Sequence, residues 1–428
     1  MLRQRGRVGL MATALVVLAV GGAQAAVTTE RSASILVFPK VISNGTRDTI
    51  IQITNTGNSM VHAHCFYVNG APTLPDFPAC HNVPPGQCAN PPLWTEVDFD
   101  IWLTAQQPTH WDVRLGRLVD PTDRRCTNGN NNTPPFFACN GAGLDPGLVP
   151  PVVEFFTGEL KCVEVAADGT PVSGNHLKGE ATLVSLDVCD LSHTPGICTL
   201  SGSECDDDEE CGEQIDVGKY NAIGVPGNEN NNGDNVLCLG GQPSDQCPNG
   251  AEYDACPQFW IANHFAEDAP EPVDTQFEPG EPDEFSFIDT AFTIVPCTQD
   301  FENQTPETVT IFIQTFNEYE TAFSSFAIVT CWDELFLDQI NPITFLFSSL
   351  GTSFAQSRLR ITEQTRSAFM MIGEEFHTVD VPVPDVKDEE IPSTSVAAVN
   401  YHVEGEHAQG DIIVIPFDQA GGGAGSAQ

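Results

Sequence analysis

Basic residues are scarce in this chain: 17 Lys and Arg stand against 59 Asp and Glu in 428 residues. The formal charge is −42, and it becomes −45 once Arg3, Arg5 and Arg7 leave with an N-terminal signal that carries no acid. A surface of that sign repels nucleic acid and anionic lipid, which excludes both as partners. It favours solubility, cation binding or a high-salt habitat. Long apolar runs are also missing after residue 25. None reaches the roughly 20 residues of a membrane-spanning helix, so no span is expected in the mature chain. Catalytic signatures are absent as well. There is no G-x-S-x-G elbow, H-E-x-x-H pair, phosphate-binding loop or G-x-G-x-x-G turn. Acids are so frequent that no carboxylate pair stands out as a glycosidase centre.

What is present begins with export. Arg3, Arg5 and Arg7 precede an apolar run from Val8 to Val20, and Ala23-Gln24-Ala25 has the small-x-small form that signal peptidase reads. Residues 1–25 are therefore read as a secretory signal. The placement is extracellular, periplasmic or cell-surface, with an uncleaved anchor as the alternative. The 15 Cys all follow the signal, as suits an oxidising compartment. Their odd number leaves one for a free thiol or an intermolecular bridge.

Strand signals run the length of the mature chain. Ser34–Phe38, Thr49–Asn55 and Val61–Val68 open the series. Further candidates lie at 98–104, 111–118, 158–166 and 180–186, and then at 308–315, 323–331, 343–348, 356–361, 374–381, 395–403 and 411–416. They are rich in Val, Ile, Thr and Phe and are punctuated by Gly, Pro and Asn. The one helix candidate, Trp332–Ile340, is short. The expected class is all-β.

A repeat organises these strands. Asn44-Gly45-Thr46-Arg47-Asp48-Thr49 returns as Asn303-Gln304-Thr305-Pro306-Glu307-Thr308, each before a strand and each followed by a strand ending near a Cys, Cys65 and Cys331. His176-Leu177-Lys178-Gly179-Glu180 returns in the same order as His402-Val403-Glu404-Gly405-Glu406. The expectation is two related β-sandwich units, 26–190 and 288–417, or one large sandwich whose halves share both sheets. A Gly-rich tail, 418–428, follows. Between the units, residues 191–287 are poor in aliphatics and hold Cys198, Cys205, Cys211, Cys238, Cys247 and Cys256, with Cys189 just before them. Such a segment reads as a disulfide-stapled insertion or linker. Cys297 and Cys331 alone fall inside the second unit, so a bridge is expected between them.

With the exported N-terminus and the strand-turn-strand unit Ile35–Val68, the chain resembles secreted bacterial proteins built of immunoglobulin-like β-sandwiches. The resemblance implies a fold and a compartment but no activity. Trp102 and Trp111 lie between Cys65 and Cys162, at a spacing too wide for the antibody Cys-Trp-Cys pattern.

Two ion sites are candidates. Asp206, Asp207 and Asp208, with Asp234 in the Asn-rich stretch beyond them, offer the hard oxygens that calcium takes, without the spacing of an EF-hand; a solvated acidic loop is the alternative. His62 and His64, two apart on a strand, point to one face and would hold copper or zinc if a neighbouring strand supplies a third ligand. The functional expectation is a secreted structural or interaction protein, calcium-stabilised and adhesion-like, that meets a protein or a surface glycan. The alternative is a secreted hydrolase or metal-dependent enzyme on the same scaffold. N-terminal sequencing of the exported protein is expected to start at Ala26; a start at Met1 would favour the uncleaved anchor.

Overall fold

The computed structural model describes residues 27–44, 47–71, 95–118, 145–153, 155–185, 189–190, 196–198, 204–205, 215–227, 236–239, 257–270, 286–297, 308–362, 368–379, 411–412 and 415–416. Strands dominate them. In chain order they are β1 (Ile35–Ser43), β2 (Arg47–Asn55), β3 (Val61–Asn69), β4 (Glu96–Leu103), β5 (Pro108–Asp112), β6 (Phe156–Val165) and β7 (Leu177–Ser185). Then come β8 (Cys189–Asp190), β9 (Gly196–Cys198), β10 (Glu204–Cys205), β11 (Ile215–Asn221), β12 (Ile223–Val225), β13 (Phe259–Phe265) and β14 (Ala269–Pro270). The last group is β15 (Ser286–Cys297), β16 (Thr308–Asn317), β17 (Ala322–Thr330), β18 (Asp333–Phe336), β19 (Phe354–Ile361), β20 (Ala368–Val379), β21 (Asp411–Ile412) and β22 (Ile415–Pro416). Two single-turn helices, α1 (Leu337–Ile340) and α2 (Phe347–Leu350), interrupt them.

Every pairing between these strands is antiparallel, in sheets of order β12-β1-β6-β3-β4, β11-β7-β2-β5, β17-β16-β19-β13-β22 and β14-β15-β20-β21. A small sheet, β10-β9-β8, sets Cys189 opposite Cys198. Strand β18 adds to the edge of β15.

The first sheet has both faces covered. Leu36, Phe38, Ala63, Cys65, Tyr67, Leu160 and Cys162 join one core with Ile51, Ile53, Ala181 and Leu183 of the second sheet. The alternating residues Ile35, Val37, Phe66, Val68, Val163 and Val165 join another core, which continues into Trp260, Phe292, Ile294, Phe369 and Met371. A strand buried on two sides must be apolar at consecutive positions, and this is why Ile35–Phe38 is an unbroken apolar run. Gly179 leaves room for this packing: a Cβ there would meet the Phe38 ring at 2.5 Å. Gly70 does the same for the Trp332 ring, at 2.6 Å.

Local side-chain chemistry ends the strands. The Arg47 N–H donates to Asn44 Oδ1 at 2.7 Å, and Thr49 Oγ1 both donates to Ile42 O and accepts from Ile42 N–H. Asn55, buried at the end of β2, donates from Nδ2 to Ser59 O and Thr104 O, while its Oδ1 accepts from Gly57 N–H. Asn317 serves the end of β16 in the same manner, donating to Leu350 O and accepting from Tyr319 and Thr321 N–H.

Pro39 interrupts β1, and the register with β6 shifts between Phe38 and Val41. A proline inside a central strand calls for such a bulge, because it lacks the ladder N–H. Side chains serve the displaced backbone: Trp332 Nε1–H donates to Pro39 O at 2.6 Å, and Tyr220 O–H donates to Lys40 O. The Lys40 ammonium is fully buried and ion-paired with Glu334 of β18 and Glu374 of β20, and Glu374 also pairs with Arg47 of β2. Two early strands and two late ones thus share one buried charge cluster.

Several expectations change. Trp332–Ile340 is not a helix: Asp333–Phe336 is strand β18, and only Leu337–Ile340 is helical. Residues 343–348 are not a strand: 343–345 form a turn, Leu346 makes an isolated bridge to Glu267, and 347–348 open α2. Within 191–287, β11 pairs with β7, β12 with β1, and β13 lies between β19 and β22. The two motif copies also differ in setting. Strand β17 pairs directly with its predecessor β16, whereas β2 and β3 lie in different sheets. Cys65 pairs with Cys162, its register partner on the neighbouring strand, with Cα atoms 4.0 Å apart. This bridge lies within one sheet, unlike the inter-sheet bridge of antibody domains. Cys238 is disulfide-bonded too. Among the described residues no helix is long and apolar enough to cross a membrane.

Removing one partner of a buried ion pair strands the other charge. Lys40→Met is expected to cost about 3–5 kcal/mol in denaturant unfolding. A cost below about 1 kcal/mol, the range of exposed pairs, would deny the cluster its structural role.

Candidate functional site

Sequence reasoning placed His62 and His64 on one face of a strand, and β3 does so. The neighbouring strand does bring a third group of metal-ligand type. Asp100 of β4 is the register partner of His64, and its Oδ1 lies 2.8 Å from His62 Nε2 and 3.0 Å from His64 Nδ1. His62 Nδ1 is 3.0 Å from Ala166 O, and the ring stacks on Trp102 with centroids 3.6 Å apart. The carboxylate oxygen therefore takes the position toward which both imidazoles point. Among the described residues no group of three or more His, Cys, Asp or Glu is arranged to hold a metal ion. The cluster is closed by hydrogen bonds. Bonds from His62 and then His64 hold the Asp100 carboxyl well below the usual range, and the bond to Asp100 raises His64.

A second histidine looks catalytic in its distances and is not in its surroundings. His264 Nδ1–H donates to Phe265 O at 2.7 Å, so the neutral ring accepts at Nε2 from Ser357 Oγ–H at 2.8 Å. Thr315 Oγ1 completes the chain, 2.7 Å from Ser357 Oγ. A Ser–His contact of this length suits a nucleophile and its base. Here His264, Ser357 and Thr315 are all 0 % exposed, and the rings of Phe292 and Phe345 wall the imidazole. Burial pushes His264 down to about 4. No substrate reaches this serine, so the relay satisfies buried polar groups. Nearby Glu267 is pushed up to about 9, first by burial and then by Asp289, Asp338 and Asp268. It stays protonated at neutral pH.

The other expected residues fall as follows. Asp206, Asp207, Asp208 and Asp234 lie outside the described residues, as do His402–Glu406. Cys297 ends β15, and Cys331, buried, lies two residues before β18, the strand that pairs with β15 from Ile294↔Asp333 onward.

The feature that sequence reasoning missed is the outer face of the β17-β16-β19-β13 sheet. Alternation turns Val309, Ile311, Ile313 and Thr315 inward and leaves Phe312 and Phe316 outward, partly exposed. On β19, Leu359 is buried while Arg358 and Arg360 are exposed. Register sets Phe326, Phe312, Arg360 and Phe259 in one row across four strands, with Ser324, Gln314, Arg358 and Ile261 in the next. The guanidinium carbons of Arg358 and Arg360 sit 4.9 Å from the Phe316 and Phe312 ring centres. Neither arginine has a carboxylate partner among the described residues, and neither row holds an acid. Alternating Arg358-Leu359-Arg360 and Phe312-x-x-x-Phe316 were readable, but their meeting depends on a register that no local pattern reveals.

The His–Asp–His cluster carries a signed pH dependence. Raised His64 stabilises fully below its unfolded value near 6.5, and this is lost as pH climbs through its folded value; depressed Asp100 stabilises above its unfolded value near 3.9, and this is lost as pH falls through its folded one. Both contributions are present between those unfolded values. Asp100→Asn is expected to lower the melting temperature by about 1–2 °C at pH 5.5, since half-exposed pairs are weak, and by less at pH 8.5. A larger loss at pH 8.5 would contradict the assignment.

Comparison with protein-family models, with curated proteins and with solved structures finds no match for this chain.

Proposed function

We propose that this is a secreted, non-catalytic interaction protein of immunoglobulin-like β-sandwich units, which presents its outer sheet face to a partner at the cell surface. The observation that carries the reading is the acid-free rows of Phe and Arg in a chain of charge −42. Recognition surfaces are enriched in aromatic residues and Arg and depleted in Lys, Glu and Asp, which is the composition of these rows. A face without function in so acidic a protein would be expected to carry carboxylates, since these keep a sheet surface solvated. The sealed His264–Ser357 pair and the hydrogen-bonded His62–Asp100–His64 cluster favour this reading over a hydrolase. Calcium held by the Asp206–Asp208 stretch and Asp234 remains part of it as a stabilising ion.

The test uses fluorescently labelled mature protein incubated with intact cells of the producing organism. The wild type is expected to be retained, and the quadruple variant F312T/F316T/R358Q/R360Q to lose most of that retention while keeping its circular dichroism spectrum. Equal retention of the two proteins would overturn the reading.

A further inference from the structure

The same face also points to a ligand chemistry. We infer that it binds an acidic polysaccharide whose sugars carry carboxylates, a polyuronate; this rests on the reading above.

The argument starts from geometry. Outward residues on one strand repeat at roughly 7 Å and strands lie about 4.8 Å apart, so among the described residues these rows form an open lattice of side chains. A flexible peptide gains little on such a lattice, because ordering it costs entropy that pockets would have to offset. A polysaccharide is stiffer and presents flat C–H faces that pack on Phe312, Phe316 and Phe326. Between the rings, the guanidinium carbons of Arg358 and Arg360 lie over Phe316 and Phe312, on the exposed side of the strand. A guanidinium over an aromatic face is attracted by the ring quadrupole, which limits the positions it takes. The planar guanidinium matches the two oxygens of a carboxylate. Arg358 Nε also contacts Gln356 Oε1 at 3.5 Å, which sets an amide beside the guanidinium for sugar hydroxyls. With no carboxylate partner among the described residues, the arginines are open to an external one.

The overall negative charge opposes any polyanion at long range. At 0.15 M ionic strength charges farther apart than about 8 Å are largely screened, so the contact is decided by the face itself.

Isothermal titration at 0.15 M salt compares three probes: polygalacturonate, poly-L-glutamate and dextran. Polygalacturonate is expected to bind, and both R358Q/R360Q and F312T/F316T to weaken it at least ten-fold. These positions face outward, and unchanged circular dichroism confirms that the variants fold. Equal binding of poly-L-glutamate would show that carboxylates suffice without sugar, and equal binding of dextran that carboxylates are irrelevant; either overturns the inference. Absence of polygalacturonate binding, or binding indifferent to the variants, overturns it too. In each of these outcomes the interaction reading is judged separately, by whether cell retention still depends on the same four residues.

Discussion

The buried ammonium of Lys40 is the interaction on which the arrangement of this molecule depends. An ammonium taken from water costs several kcal/mol unless carboxylates meet it. Those carboxylates, Glu334 and Glu374, come from strands 294 and 334 residues later, and Trp332 from the same region caps the Pro39 carbonyl beside it. Early and late strands therefore stabilise one another, and neither set satisfies its buried polar groups alone. The bulge at Pro39 is what turns the Lys40 side chain and the Pro39 carbonyl toward those partners.

That junction explains where a ligand can act. With β1 and β6 of the first sheet buried on both faces, nearly all their side chains are committed to packing. Polar groups inside the later sheets are committed in the same way, and the Ser357–His264 contact is the clearest instance. Its distances suit catalysis, yet complete burial makes it a device for satisfying polar atoms. The outer face of the β17-β16-β19-β13 sheet has no such commitment. There the physics runs in reverse: aromatic rings remain partly wet, and two cations have no carboxylate partner among the described residues of a strongly acidic chain.

Much of the strand content was legible in the sequence, because strands obey a local rule. Runs rich in Val, Ile, Thr and Phe between turn residues marked most strands, and a short apolar run marked β1, whose two faces are both covered. Turn chemistry at Asn44 and Asn55 was equally local. Residues 333–336 were misread because a four-residue strand on the edge of β15 has no period of its own. Residues 215–225 and 259–265 were read as linker because Cys, Asn and Asp around them diluted their apolar signal. Of the candidate site, the pairing of His62 with His64 was legible, whereas Asp100 and the Phe–Arg rows were not.

The amino-acid order by itself determined an acidic, all-β chain with its strand ends closed by Asn and Thr, since these are effects of neighbours in sequence. Only the tertiary structure decided that Cys65 meets Cys162, that Lys40 meets Glu334 and Glu374, and that Arg358 and Arg360 lie over phenylalanines of another strand. Those partners are distant along the chain and are chosen by register. A shift of one residue would turn each side chain to the opposite face, and no local pattern carries that choice.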